Sequence, residues 1–488
     1  MARLFVHVTT LRCALLLLSA VTLVYLIIYL IWDERVSREH LRIQAGHAYS
    51  FKRLSEQGLQ HADLVNIGNH HVPAGMGVWL KDRNIQVISA ILDLHPTNQS
   101  DTRIVLPSFL QHSSQRDFVC CFHSSAASDE YIEVPASLDF IDLRFIVDIQ
   151  NAAYICIVKN SESNHKLKFV SFAPQTCQED VSLPLKVIYP VRRSWEFAVC
   201  TKVAYARLEP SHLVEWFEYM KLIGASKVVT FHNNLHPDSR RVFDFYAAVG
   251  FLELVEYKPQ RQRNGTRVIY KEKNSQTHEA REEKTLVVRD CQYRLAGYDF
   301  VITIDFDELP VPARPHRTFN SIMQDLLRNH PDAAAFRMDP ILLPPEWQNP
   351  TQGLYHWQFS SGTYIAPYCV KWAYIPSRTW LATTHEIVPQ EGYKTYVIPQ
   401  DVLHFLHFRS CKTDWQEVHC KNLTHTVKNE ALLKRFRADV LRNMRKLPLE
   451  SLITDKEYVR LVRAGAKPGT TAGSLDDDPL VELLLTDQ

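Results

Sequence analysis

Between Pro190 and Pro312 apolar strand-like runs alternate with helical periods, and this alternation constrains the fold more than any other feature. "EFAVCTKVAYA" reads as a strand. Leu213, Trp216, Phe217, Met220 and Ile223 then recur at helical spacing, with Pro210 near the start and Gly224 just past the end. "KVVTFHN" is the next strand, and a helix opened by Pro237 and closed by Gly250 carries Val242, Phe245, Tyr246 and Val249 on one face. "LELVEY" is a third strand. A polar insertion, roughly Lys258 to Thr277, leads through a helix at "EKTLVVRDCQYRLAG" into "YDFVITIDFDE". Strands and helices of this length predict βαβ units and an α/β fold with a mostly parallel sheet. Past Pro310, "FNSIMQDLLRNH" reads as helix and "AAAFRM" as strand.

The run Phe300 to Ile304 predicts a strand buried on both faces, and it leads into three carboxylates, Asp305, Asp307 and Glu308. Open α/β sheets bind ligands at that C-terminal edge. On an extended segment residues two apart face the same way, so Asp305 and Asp307 are expected to converge on one ligand while Phe306 turns to the core. Such oxygen ligands suit Mn²⁺ or Mg²⁺ with a nucleotide diphosphate better than zinc. The competing reading is a solvated strand end or helix cap. Position decides between them: Asp476, Asp477 and Asp478 match the same string in a Gly-rich tail with no strand before it.

Downstream, "VLHFLHFRSC" puts His407 and Arg409 on one strand face and His404 on the other. A neutral imidazole completes a site that two carboxylates leave open, and a guanidinium holds a diphosphate. "CVKWAYIPSRTWLATTHEIVP" sets Lys371, His385 and Glu386 among aromatics, a pattern that suits a sugar-stacking surface and an ordinary core edge equally.

A length of 488 residues predicts about two or three domains. Residues 13–32, Cys13 to Trp32, carry no charge and are long enough for a transmembrane helix. Arg3 and Arg12 precede them, and Asp33 and Glu34 follow, so the positive-inside rule predicts a type II protein with a cytosolic tail at 1–12. A polar stem is expected at 33–75, a β-rich luminal domain at 76–190 and the catalytic domain at 191–446. A C-terminal helix and mobile tail would occupy 447–488. The β-rich region reads equally as a carbohydrate-binding module or a spacer. Nine of ten cysteines follow Cys13, in a compartment where disulfides persist. Nine is odd, so at least one is free or joins another chain, which keeps a disulfide-linked dimer in view. Asn98, Asn264 and Asn422 are glycosylation sequons that fit the same address. A net charge of +1 gives no reason to expect nucleic acid.

From about Phe197 to Arg409 the chain resembles glycosyltransferase family 92. The resemblance rests on "RLEPSHLVEWFEYMKLIGASKVVTFHNN", "YDFVITIDFDE", "VKWAYIP…TTHE" and "LHFR", taken as an ordered set. It implies a GT-A type fold and inverting, Mn²⁺-dependent transfer of galactose from UDP-galactose to a glycan acceptor on a glycoprotein or glycolipid. With the topology above, that implies a Golgi membrane protein. The resemblance further implies that Asp305 and Asp307 contact the donor ribose and the metal, and that His407 is the later metal ligand. Lys371 and Arg409 would face the diphosphate, and Thr201, Arg207 and Asn233 would line the nucleotide pocket. Inversion needs a carboxylate to take the acceptor proton, for which Glu386 is the candidate and Asp339 the rival. "FHNN" and "FRMDPILLPPEW" depart from the family pattern. A non-catalytic sugar-nucleotide or glycan-binding protein of the same fold is the alternative. A metal-dependent phosphohydrolase would require a second metal cluster.

Overall fold

The structure is a computed structural model. It describes residues 78–464 except 81–84, 96–100, 112–116, 127–129, 142–148, 160–166, 179–180, 258–283, 315–316, 348–352, 360, 366–368, 411–426 and 429. The expected cytosolic tail, the segment Cys13 to Trp32, the stem, all three sequons, Cys411, Cys420 and the tail from 465 lie outside the described residues. No helix among the described residues is long and apolar enough to cross a membrane.

Nine strands come first: β1 (Val78–Leu80), β2 (Ile85–Val87), β3 (Ala90–Leu92), β4 (Asp101–Gln111), β5 (Phe118–His123), β6 (Tyr131–Ile141), β7 (Ile149–Lys159), β8 (Phe169–Ala173) and β9 (Leu185–Ile188). Their order is β1-β2-β4-β3-β9-β8-β5-β6-β7, and β7 pairs back onto β4, so β3 to β9 close into a barrel-like ring. Closure leaves few free strand edges. The sequence of β4, "DTRIVLPSFLQ", does not alternate between apolar and polar residues. Ile104, Leu106 and Leu110 fill the ring interior, whereas Val105 and Phe109 pack outside it. Disulfides Cys120–Cys156 and Cys121–Cys177 staple this region.

The expected alternation then appears: β10 (Arg193–Ala206), α1 (Pro210–Leu222), β11 (Ala225–Leu235), α2 (Pro237–Ala248), β12 (Leu252–Glu256), α3 (Lys284–Arg294) and β13 (Tyr298–Thr303). β14 (Glu308–Pro312), α4 (Phe319–Asn329), β15 (Ala333–Met338), β16 (Pro340–Leu342), β17 (Ser361–Tyr364) and β18 (Lys371–Tyr374) follow. After β19 (Thr379–Ala382), β20 (Ile387–Pro389), β21 (Lys394–Val397), β22 (Leu403–His407) and β23 (Val427–Lys428) come α5 (Glu430–Met444), α6 (Leu449–Leu452) and α7 (Lys456–Ala464). One seven-stranded mixed sheet has the order β12-β11-β10-β13-β18-β15-β21, parallel from β12 to β13. β18 runs antiparallel to both neighbours. A second sheet runs β14-β22-β16-β17-β23.

Helices α1 and α2 end where Gly224 and Gly250 take φ values of +98° and +78°, left-handed conformations that cost glycine little. Each faces the sheet with large side chains. Trp216, Phe217, Met220, Val242, Phe243 and Tyr246 are fully buried, each contributing about 2 kcal/mol of transfer energy. α3 differs, for it lacks a polar face: Val287, Val288 and Cys291 are buried, and so are Arg289, Asp290 and Arg294. The sheet covers one side and the barrel the other, with Ile88 and Phe109 of the barrel joining the α3 core. The buried charges are paired, Arg294 with Asp290 at 2.7 Å and Glu253 at 2.6 Å, and Arg289 with Asp139 at 3.3 Å. Cys200–Cys291 ties α3 to β10.

Candidate functional site

β10 breaks its register against β11 between Cys200 and Val203, and Lys202 takes φ +60° there. A left-handed non-glycine residue is a strained conformation that only a well-determined surrounding retains. The break sends the buried Lys202 Nζ to within 2.6 Å of Asp305 Oδ2, just past the end of β13. Lys371, the first residue of β18, brings its Nζ to 3.0 Å from the same oxygen and 2.8 Å from Glu308 Oε2. Burial works against the Lys371 ammonium, but Asp305 and Glu308 outweigh it and hold its pKa above the ordinary lysine value.

The segment Asp305 to Glu308 is a turn, which corrects the extended geometry expected for it. Glu308 N donates to Asp305 O at 3.2 Å, and Asp305 N donates to Glu308 Oε2 at 2.7 Å. The turn separates the two aspartates that a strand would have aligned. Asp305 faces the lysines and Asp307 faces His407. Phe306 does reach the core, with its ring 4.8 Å from Trp216 and 5.3 Å from Phe243.

The pairing of β14 with β22 sets Glu308 opposite His407. His407 Nε2 lies 3.5 Å from Asp307 Oδ2 and 3.7 Å from Glu308 Oε1. Glu308 Oε1 and His407 Nε2 are buried without a hydrogen-bond partner, and a buried polar atom left so is costly. One ligand atom from each of Asp307, Glu308 and His407 falls within 4.8 Å of the others. These two orphaned atoms, converging with an oxygen of the half-open Asp307 carboxylate, fit a divalent Mn²⁺ or Mg²⁺ ion. The carboxylate beside Asp307 and His407 is therefore Glu308, and Asp305 stands outside the set. Desolvation raises the Asp307 pKa, although 40% of the side chain stays open to solvent. The His407 ring and the Arg409 guanidinium outweigh it, against Asp305, and hold the carboxyl below its usual range.

The remaining expected residues lie at different distances from this cluster. Arg409 acts on Asp307 through its charge. Glu386 is exposed on a turn where its N–H donates to Thr383 Oγ1 at 3.1 Å. Next to it, His385 lies near enough to Lys371, Lys202 and Asp305 to feel their charges. Asp339 is held by Arg337 at 2.7 Å, which commits the rival base to a neighbour. Thr201 is buried within β10, its Oγ1 2.5 Å from that of Thr230. Asn233 is half-buried on β11 opposite Tyr205. Arg207, exposed, stands 3.6 Å from Glu209 and 3.7 Å from Asp238, ion pairs away from the cluster's own carboxylates.

Sequence reasoning passed over Lys202, whose signal was a lone cation inside an apolar strand. It also did not place Glu308 beside Asp307 and His407, although "ELPVP" is a wholly buried strand whose only charge is that carboxylate. No curated protein matches the chain. The model of glycosyltransferase family 92 matches residues 196–446, a span that runs from β10 to just past α5 and holds every member of the cluster. That match covers just over half of the 488 residues, and the chain belongs to glycosyltransferase family 92.

Proposed function

We propose that this family member transfers a hexose, with UDP-galactose the expected donor, to a glycan acceptor with inversion at the sugar carbon. Asp307, Glu308 and His407 would hold Mn²⁺ or Mg²⁺. The observation that carries the reading is the pair of orphaned buried atoms, Glu308 Oε1 and His407 Nε2, facing the half-open Asp307 carboxylate. When bound, the ion supplies Lewis-acid stabilisation of the departing diphosphate.

The chain's own groups do the rest. Lys371, Lys202 and Arg409 supply fixed positive charge where the diphosphate charge develops. Asp305 keeps the two lysines in place and is left for the donor ribose. Glu386, exposed beside the β18 strand end, takes the acceptor proton. Four parallel strands with the carboxylates at the C-terminal edge of β13 support a GT-A type fold. Anchoring through Cys13 to Trp32, a Golgi address and glycosylation at Asn98, Asn264 and Asn422 belong to the same reading.

The test is UDP release by the purified region after residue 32, offered a panel of UDP-sugars with Mn²⁺, with and without pooled glycans and with EDTA as control. Metal-dependent release from one donor, stimulated by acceptor, is expected. Binding of UDP and Mn²⁺ with no turnover of any donor would favour the non-catalytic alternative.

A further inference from the structure

A cavity of about 330 Å³ opens beside the cluster, between the start of α1, the turn at Tyr355 and helix α7. Its lining includes His212, Tyr355 and Gln358, together with three acidic residues, Glu209, Asp455 and Glu457. Among the described residues no lysine or arginine lines it.

The walls are tied to one another by a single buried carboxylate. Glu215, without solvent exposure, accepts from Tyr355 N at 2.7 Å, His356 N at 3.1 Å and Tyr458 Oη at 2.6 Å. Its Oε2 also lies 2.8 Å from His356 Nδ1. The His212 ring stacks on Tyr355, centroids 3.6 Å apart and planes at 17°. Three separate pieces of chain are thereby fixed into one preformed surface, as ligand pockets commonly are.

The same pieces reach the reaction centre. The His356 ring packs edge-on against Phe408 at 4.9 Å, and Phe408 N donates to Asp307 O at 2.8 Å. Burial chiefly raises the Tyr355 phenol pKa, and the Asp307 charge adds to it, so the cavity wall lies within electrostatic reach of the metal-binding carboxylate.

We propose that this cavity binds the acceptor, and that it selects a neutral, hydroxyl-rich sugar unit over an anionic one; the proposal rests on the transferase reading above. Sugar hydroxyls donate to the acidic residues of the lining, and the Gln358 amide and Tyr355 offer further partners. A carboxylate, sulfate or phosphate on the acceptor meets the like charges of Asp455 and Glu457, and that of Glu209, which Arg207 offsets in part from 3.6 Å. The two substrates are then sorted by charge: the anionic donor goes to Lys202, Lys371 and Arg409, and the uncharged acceptor to the acidic cavity. At this volume the cavity is at the small end of ligand sites and holds a sugar unit rather than an extended chain.

The experiment uses the protein loaded with UDP and Mn²⁺, and saturation-transfer NMR with neutral galactose- or N-acetylglucosamine-terminated oligosaccharides against their sialylated or uronic-acid counterparts. Neutral sugars are expected to bind. Glu457→Lys and Gln358→Ala are each expected to weaken that binding by about tenfold, the loss of a hydrogen bond or two, while UDP and Mn²⁺ affinity stays at the wild-type value. Unchanged sugar binding in both variants, preference for the anionic sugars, or no neutral-sugar signal from the wild type would each overturn the proposal. Sugar binding that responds to the variants in a protein unable to bind UDP and Mn²⁺ would uphold the cavity and sink the transferase reading instead.

Discussion

Lys202 meets Asp305 at 2.6 Å because β10 loses its register immediately before it, so a backbone irregularity delivers a buried charge to the edge of the sheet. Lys202→Met removes the charge and leaves Lys371 as the lysine that pairs with Asp305. Transfer is expected to fall about a hundredfold, the scale of one preorganised donor, with Mn²⁺ affinity nearly unchanged. Steady-state rates and metal titration check both. Lys202→Gly should be as inactive but more stable than Lys202→Met, because glycine accepts φ +60° without strain. Equal melting temperatures for the two would remove the case for backbone strain.

Asp307 and Glu308 meet His407, whereas the neighbouring Asp305 turns to the lysines. Asp307→Asn and Glu308→Gln are expected to abolish high-affinity Mn²⁺ binding, read by electron paramagnetic resonance. Asp305→Asn should keep the ion and lose turnover. Loss of metal in Asp305→Asn would return that residue to the coordination sphere.

For the acceptor proton the two carboxylates should behave differently. Glu386→Gln is expected to lower kcat by about 10² to 10⁴, the range of general-base catalysis, and to leave UDP affinity intact. Asp339→Asn breaks a pair with Arg337 and should act on stability. The reverse pattern in kcat would exchange their roles.

Burial drives the His212 ring down to about 4, with Glu215 opposing and His356 assisting. The folded protein therefore keeps this ring neutral while the unfolded chain protonates it near the ordinary value of 6.5. Its contribution is complete above that value and is lost as pH falls towards 4. Allowing for partial solvent exposure, roughly 1 kcal/mol should disappear between neutral pH and pH 5. The melting temperature of His212→Phe should fall less steeply over that interval than the wild type's. Parallel curves would show that His212 does not titrate on unfolding.

Replacing Cys200 and Cys291 together by alanine opens a long loop in the unfolded chain. A loss of about 2–5 kcal/mol is expected from such a bridge, measured by thermal melting under non-reducing conditions. An unchanged melting temperature would mean that the bridge adds nothing to the buried contacts of α3.

Much of the sheet was legible because α1 and α2 carry their own punctuation. Pro210 and Gly224, and Pro237 and Gly250, mark starts and stops by local backbone chemistry. β4 was not, since a strand buried on both faces lacks the period that distinguishes strand from core. At the site, the meeting of Asp307 with His407 was legible from residue type and position. Glu308 was not, because its place depends on a turn that a strand-period argument straightens out, and on the register that sets it against His407. Lys202 depends on a bulge, and no local pattern in "CTKVAY" announces one.

Helix α3 presents apolar and paired polar groups to the barrel and the sheet at once. Neither neighbour can be exchanged for an unrelated module without rewriting the helix that both share. In the history of such a chain, substitutions at Ile88, Phe109 or Asp139 are answerable to the transferase half, and those at Arg289 or Val288 to the barrel. The two would therefore have been inherited as a pair, co-varying across this helix and not shuffled independently.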